Sequence, residues 1–307
     1  MDTTVMDNSK TNKEGVSYTY RGYDGYQPMM AYIGKEGYIL NCELRPGSQH
    51  CQSGMDTFIW ESVRQLEKAE IKGRILFRLD SGNDAYETME AIIYSREENY
   101  CIIKRNKRRE SDEKWLEMAK LNGKLEEPRK GKKIWRGITD IHPRNKRGQI
   151  LEDIHCVYEV IERTTDYIGN ELLIPEIEVN SFWTNLTCEA EKVIELYHDH
   201  GTSEQFHSEL KNDLGVERMP SGKFKVNEIL LAIAMNAYNT LRYLGQQSIE
   251  KDECKKHRRK RLGKVIIEII CVAGKLVKHA KSLVFKIYEK DPILPIYLKL
   301  NTILDCM

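Results

Sequence analysis

Tyr197-His198-Asp199-His200-Gly201-Thr202-Ser203-Glu204-Gln205-Phe206-His207-Ser208-Glu209-Leu210-Lys211 is the stretch on which the reading of this chain turns. Tyr197, His200, Glu204 and Lys211 are spaced by three, four and seven residues. At 3.6 residues per turn these spacings predict one stripe of a helix. The stripe carries a phenol, an imidazole, a carboxylate and an ammonium. Phe206, Leu210 and Leu214 predict a second, apolar stripe, offset by about a third of a turn. Such a helix has one face to bury and another to present. A single helical carboxylate is most often a solvated surface residue. Glu204 differs in having hydrogen-bonding and cationic side chains on both sides of it along the stripe.

A second carboxylate follows from a strand. Arg74-Ile-Leu-Phe-Arg-Leu79 is short and apolar, ends in Asp80-Ser81-Gly82, and precedes a helical stretch from Asp84 to about Ser95. Open α/β sheets place ligand chemistry at the carboxyl ends of their strands. The alternative for Asp80 is a turn or helix-cap residue.

These residues have a family look. The stretch from Tyr197 resembles the Tyr-(2)-Arg-(3)-Glu-(6)-Lys signature of DDE transposases from bacterial insertion sequences. Tyr197, Glu204 and Lys211 match it, and His200 stands where the family has Arg. Phe182-Trp-Thr-Asn-Leu186 upstream and Asn236-Ala-Tyr-Asn239 downstream add to the likeness, which covers almost the whole chain in the right order. Arg78-Leu-Asp-Ser-Gly82 resembles the family's second catalytic Asp block. The resemblance also implies a first Asp on the first core strand. Here that is Asp2, in Met1-Asp-Thr-Thr-Val5; Asp7 competes, but Asp7-Asn8-Ser9 reads better as a turn. Family members normally carry a domain before this strand, so the resemblance implies a carboxyl-terminal fragment or an internally started reading frame.

The resemblance implies an α/β fold: a ribonuclease-H-like mixed sheet flanked by helices, interrupted by a mainly β insertion, with C-terminal helices. It implies that Asp2, Asp80 and Glu204 are catalytic and bind Mg²⁺ or Mn²⁺, as a pair of ions. Hard cations with oxygen ligands suit phosphoryl transfer, because charge builds on phosphate oxygens. Tyr197, His200 and Lys211 would hold DNA. The implied reaction is cleavage at transposon ends, then attack of the freed 3′ hydroxyl on target DNA, within a homodimeric synaptic complex. Two other readings stay open. One is a ribonuclease-H-like nuclease; the other is a truncated, inactive relic that binds DNA or dimerises with the full-length protein and inhibits it.

Composition is compatible with this and does not single it out. At 307 residues the chain can bury a full core. No apolar run is long enough to span a membrane, and the start lacks the basic region of a signal peptide. Eight scattered cysteines without a Cys-x-x-Cys pair fit a reducing cytoplasm, and the isolated pairs His50-Cys51 and His155-Cys156 have unusual spacing for zinc. Net charge is only +1, yet Lys104–Arg109, Arg129–Lys133 and Lys255–Arg261 are densely basic. Basic runs are commonly solvated faces; three of them beside a set of metal-type carboxylates favour a nucleic-acid backbone as partner.

Along the chain, residues 1–9 predict a strand, 10–25 a loop, and Pro28–Ile33 with Tyr38–Leu44 a hairpin. Asp56–Ile71 predicts a helix, Arg74–Leu79 a strand, Ala85–Ser95 a helix and Tyr100–Lys104 a strand. Residues 1–105 thus read as the first part of the core. Residues 106–183 read as the insertion, with a helix at Asp112–Leu121 and strands at Lys133–Ile138, Ile154–Arg163 and Leu172–Trp183. Residues 184–245 read as the rest of the core, with one long helical segment from Thr187 toward Glu204 and an apolar helix at Asn227–Leu244. Residues 246–307 read as a basic helical region with an apolar helix at Val265–Val284.

Overall fold

The computed structural model describes residues 1–199, 203–249, 259–279, 282–288 and 293–305. Two short strands, β1 (Asp2–Thr3) and β2 (Met6–Asp7), stand where one was expected. β3 (Ser17–Tyr18) and β4 (Asp24–Tyr26) fall in or at the end of the expected loop. The hairpin β5 (Met29–Ile33) and β6 (Tyr38–Glu43) is present. Then come α1 (Met55–Lys68), β7 (Ile75–Leu79), α2 (Tyr86–Ser95) and β8 (Asn99–Lys104), as the periodicity predicts. Next are α3 (Asp112–Asn122), β9 (Lys124–Arg129), β10 (Lys132–Thr139), β11 (His155–Thr165) and β12 (Glu171–Thr184). The remainder comprises α4 (Ala190–His198), α5 (Ser203–Ser208), α6 (Phe224–Gln247), α7 (Leu262–Val265), β13 (Gly274–His279), β14 (Ser282–Ile287) and α8 (Leu294–Asp305).

These elements form two compact units. The first comprises Met1–Thr3 and Gln49–Thr202, the second Thr4–Ser48 and Ser203–Met307. The first unit is built on a six-stranded sheet in the order β7-β8-β12-β11-β10-β9. β7 and β8 are parallel, and the remaining pairs are antiparallel. Parallel neighbours need a crossover, and α2 supplies it. The sheet is therefore mixed and the architecture is mixed α/β, as expected.

Strand β11 shows why helices flank this sheet. Successive strand residues point to opposite faces. Val157 packs with Val193 and Ile194 of α4, whereas Tyr158 meets Trp115 of α3 at 5.9 Å between ring centroids. A strand covered on both sides is buried on both, and Cys156–Ile161 is buried throughout, Glu159 included through its ion pair with Arg136. Opposite Tyr158 stands Gly137, where a β-carbon would lie 2.4 Å from the Tyr158 hydroxyl. The small residue makes room for the ring.

In the second unit, Met6, Tyr26, Met30, Leu210, Leu231, Tyr238 and Leu262 share one core. Helix α6 packs on β6, and Asn239 joins the two. Its side-chain oxygen accepts from Ile39 N, and its amide donates to Ile39 O, both at 2.8 Å. The hairpin turn ends at Gly37, whose φ of 76° suits glycine. Phe206 fills the space where a β-carbon would be.

The expected helix over Val265–Val284 is not formed. α7 passes into a π-helical turn at Ile266–Ile270, and the chain then makes the antiparallel hairpin β13–β14. Val277, Val284 and Phe285 favour a pleated surface, and Gly274 interrupts the apolar run that suggested a helix. Among the described residues no helix is long and apolar enough to cross a membrane.

The second unit also buries an ion pair. Glu209 Oε2 accepts from Arg242 Nη2 at 2.7 Å and from Leu262 N at 3.0 Å, while Arg259 holds the other carboxylate oxygen. Arg242 Nη1 donates to Lys260 O at 2.8 Å, and Nη2 also lies 2.9 Å from the Tyr238 hydroxyl. Removing one partner of a buried pair leaves a charge without its counter-charge, at a cost of about 3–5 kcal/mol. Arg242→Met is expected to lose that much in urea denaturation. Glu209→Met combined with Arg242→Met is expected to lose less than the sum of the single losses.

Candidate active site

Asp80 follows β7 directly, at the carboxyl end of a strand in the parallel pair. It occupies the cap position of a single 3₁₀ turn, Ser81–Asn83, yet its side chain makes no capping bond. Instead its Oδ1 accepts from the Asn83 amide at 2.7 Å. Asn83 is 1% exposed, so this bond is made inside the unit. The Cys51 thiol donates to Gly82 O at 3.0 Å and steadies the same turn.

Asp2 lies on β1, and the Met1 nitrogen beside it donates to Arg78 O at 3.0 Å. This brings the first residues alongside the strand that ends at Asp80. The Asp2 carboxylate accepts from Thr3 N at 2.8 Å. Asp7, the competitor, behaves as a turn residue: its Oδ1 accepts from Ser9 N at 2.8 Å and from Ser9 Oγ at 2.6 Å.

Helix α4 delivers Tyr197. Arg78 Nη1 donates to Leu196 O at 2.9 Å, tying the end of α4 to β7. Phe182 packs against the Tyr197 ring at 4.7 Å between centroids. The charges of Asp2 and Asp80 both act on the Tyr197 phenol, and that of Asp2 on Asp80. Loss of solvent raises the Asp80 pKa first, the Asp2 charge raises it further, and the Asn83 bond opposes both. Asp80 keeps an accessible surface, so the crowding is one-sided. The Tyr197 phenol is pushed up to about 12, by burial first and then by Asp80 and Asp2.

The neighbouring residues Trp183 and Asn185 join elements of the fold. Trp183 Nε1 donates to Asp84 Oδ1 at 2.7 Å. Asn185 accepts from Cys101 N at 2.8 Å and donates to Asn99 O at 2.9 Å, extending the contact between β12 and β8.

Glu204 and Lys211 belong to the second unit. Tyr197 lies on α4 of the first unit and Glu204 on α5 of the second, and Lys211 lies in a π-helical turn, Glu209–Asp213, so the expected stripe does not run on as α-helix from Glu204 to Lys211. His200 lies outside the described residues. The apolar face is as expected, with Phe206 and Leu210 buried. Glu204 is exposed and lines an open recess of about 490 Å³ with Gln205, Ser208, Glu209, Arg259 and Arg261. Arg261 is bound by Asp213 through two 3.0 Å hydrogen bonds. Lys211 Nζ donates to Val5 O at 3.1 Å and lies 3.4 Å from Glu217.

Sequence reasoning passed over Glu209, the buried carboxylate of this segment. The available signal was Arg242, the one cation in the apolar run from Ile229 to Leu244. Asp80 and Asp2 offer hard oxygen donors whose charges oppose each other, a donor set that suits a divalent cation. Among the described residues, neither unit gathers three or more His, Cys, Asp or Glu side chains into a cluster able to hold a metal. The described cysteines form no disulfide, and burial pushes the Cys156 thiol up to about 12.

Tyr197 yields a titration test. Its folded pKa of about 12 lies above the ordinary tyrosine value of 10.0. The folded state therefore holds this proton more tightly than the unfolded state. The associated stability is present below pH 10 and is lost as pH rises through 12. Tyr197→Phe is expected to flatten that loss in alkaline denaturation. In spectrophotometric titration, Asp80→Asn should move the late tyrosinate step to lower pH, because one of the charges raising it is gone.

The sequence matches the family model for transposase DDE domain group 1 over residues 1–156 and 160–307. No curated protein matches the chain. A similar solved structure is the cryo-EM structure of the piggyBac transposase synaptic complex with hairpin DNA. It has a TM-score of 0.45 and 11% sequence identity, covering 87% of this chain and 50% of that one. The chain thus corresponds to half the length of that protein. With the family match running over nearly its whole length, the chain belongs to the transposase DDE domain group 1 family.

Proposed function

We propose that this chain is the catalytic part of a DDE transposase, cutting DNA at transposon ends and joining the freed 3′ hydroxyl to target DNA. The observation that carries the reading is the meeting of Asp2, Asp80 and Tyr197 at the end of β7, in a chain of this family. Asp2 and Asp80 are assigned as metal-binding carboxylates, and Glu204 is assigned as the third from the signature. Bound Mg²⁺ or Mn²⁺, as a pair of ions, would supply charge neutralisation at phosphate oxygens.

The protein's own groups have definite tasks in this scheme. The Asn83 amide holds one Asp80 oxygen and limits its rotation. Tyr197 keeps its proton throughout the physiological range and can donate a hydrogen bond to a phosphate oxygen. Arg78 fixes the helix end that carries Tyr197. Lys211 is assigned to the DNA backbone from the signature. Its ammonium also serves Val5 O and Glu217, so binding a phosphate would draw on a cation already oriented. His200 is assigned to the backbone in place of Arg, with one ring donor per phosphate where a guanidinium offers two. DNA is the partner, and a homodimer is the proposed assembly at paired ends.

Purified protein should nick a labelled transposon-end duplex only with Mg²⁺ or Mn²⁺ present. Asp80→Asn and Glu204→Gln should each lower that rate by more than about 100-fold, the upper range for loss of a merely supporting partner at a metal site. DNA binding should persist in both, because it rests on cations elsewhere. Calorimetric Mn²⁺ binding should weaken in parallel. Undiminished nicking by both variants would remove the carboxylate assignment.

A further inference from the structure

A second feature of the first unit lies beside the Asp80 loop and has no part in the scheme above. It is a cavity of about 530 Å³ whose walls include Asp84, Arg105, Arg108, Glu110, Arg144, Lys146 and Trp183. Asp84 is four residues beyond Asp80, at the end of the same 3₁₀ turn. Two of the three acids in the wall are already bound. Asp84 accepts from Trp183 Nε1 at 2.7 Å and from Asn106 N at 2.8 Å. Glu110 accepts from Trp115 Nε1 at 2.9 Å and from both terminal nitrogens of Arg105. Arg105 itself lies over Trp115 and Trp183, at 5.6 and 5.1 Å from their rings. Glu87 is the remaining acid in the wall.

Arg108, Arg144 and Lys146 are exposed and make no ion pair among the described residues. The loops carrying them are nevertheless shaped. Arg108 has φ of 53°, a left-handed conformation unfavourable for a residue with a side chain, and its N–H donates to Asn106 Oδ1 at 2.9 Å. Asn145 binds the backbone of Arg147 and Gln149 through Oδ1, at 2.9 and 3.0 Å. Three cations on pre-shaped loops, around a cavity in which two of the three acids are engaged, suit an anion with several separated charges.

We infer that this cavity is a DNA subsite, in which Arg108, Arg144 and Lys146 hold successive phosphodiesters of the strand leading to Asp80. The inference rests on the transposase reading, and it names a grip that the Tyr-His-Glu-Lys segment does not contain. Trp183 and Arg105 form the floor and shape the cavity; the three exposed cations supply the attraction.

The test is binding of the full chain to a fluorescent duplex, read by anisotropy across a KCl series with EDTA present, so that no metal chemistry enters. Each phosphate contact contributes about 0.9 to the slope of log K against log salt. Arg108→Ala/Arg144→Ala/Lys146→Ala should therefore flatten the slope by about 2.7. Arg64→Ala/Lys68→Ala/Lys72→Ala, which removes three cations outside the cavity, should leave it unchanged. Arg108→Lys/Arg144→Lys should restore the wild-type slope, separating lost charge from lost folding. If the wild type binds and the first triple variant keeps its slope, the subsite is wrong while the DNA-binding reading stands. If the wild type does not bind DNA at low salt, both fall. If a nucleoside monophosphate displaces the duplex at millimolar concentration and its own binding needs the same three cations, the cavity is a free-nucleotide site and the DNA assignment is overturned.

Discussion

Two carboxylates held close enough to oppose each other's ionisation are the constraint around which the first unit is arranged. Asp80 is deprived of part of its water and faces the Asp2 charge. Left to itself, such a pair would move apart or take up a proton. The surrounding bonds oppose separation: Asn83 fixes one Asp80 oxygen, the Met1 nitrogen binds Arg78 O, and Arg78 binds the end of α4. The same tie holds the end of α4 that carries Tyr197, whose phenol both charges push up. A divalent cation would convert this mutual repulsion into shared attraction, which makes the arrangement intelligible as a binding site.

The second unit is held by polar locks within an apolar core. Glu209 and Arg242 neutralise each other out of contact with water, and Arg259 and Leu262 N complete the carboxylate's partners. Asn8 is similarly enclosed: its oxygen accepts from Met219 N at 3.1 Å, and its amide donates to Met6 O and Glu217 O, each at 3.2 Å. Such bonds contribute modest net stability when made and cost more when broken. Their main consequence is that few alternative packings are open to the segment that carries Glu204.

Several residues that draw attention as signature neighbours turn out to join elements of the fold. Asn239 attaches α6 to β6, Asn185 extends a strand contact, and Phe182 supports the Tyr197 ring. Asp80 is different. It stands at the cap position of its turn, where the Asn83 amide and the Gly82 N–H favour its charged form while burial and the Asp2 charge oppose it. A short polar residue in a turn is ordinarily explained by a bond to the local backbone. The Asp2 charge, which a turn residue does not need beside it, separates the chemical reading of Asp80 from the local one.

The sequence by itself determined the elements whose cause is local. Alternation and apolar runs set β7, β8 and β11, and the spacing of Phe206 and Leu210 set a buried helix face. The strand-to-turn change at Leu79-Asp80 placed one carboxylate at a strand end. Local pattern misled at Val265–Val284, where apolar residues of high strand preference were read as a helix. Only the tertiary structure decided that Tyr197 lies within the charge influence of Asp2 and Asp80, that Glu209 is buried while Glu204 is exposed, and that Lys211 is tied to Val5. The last pair is 206 residues apart in sequence. Periodicity reports which way a side chain leaves its own helix or strand, and carries no information on the distant chain that meets it there. Those meetings are set by close packing and by the need to pair each buried polar group, conditions that exist only once the whole chain is folded.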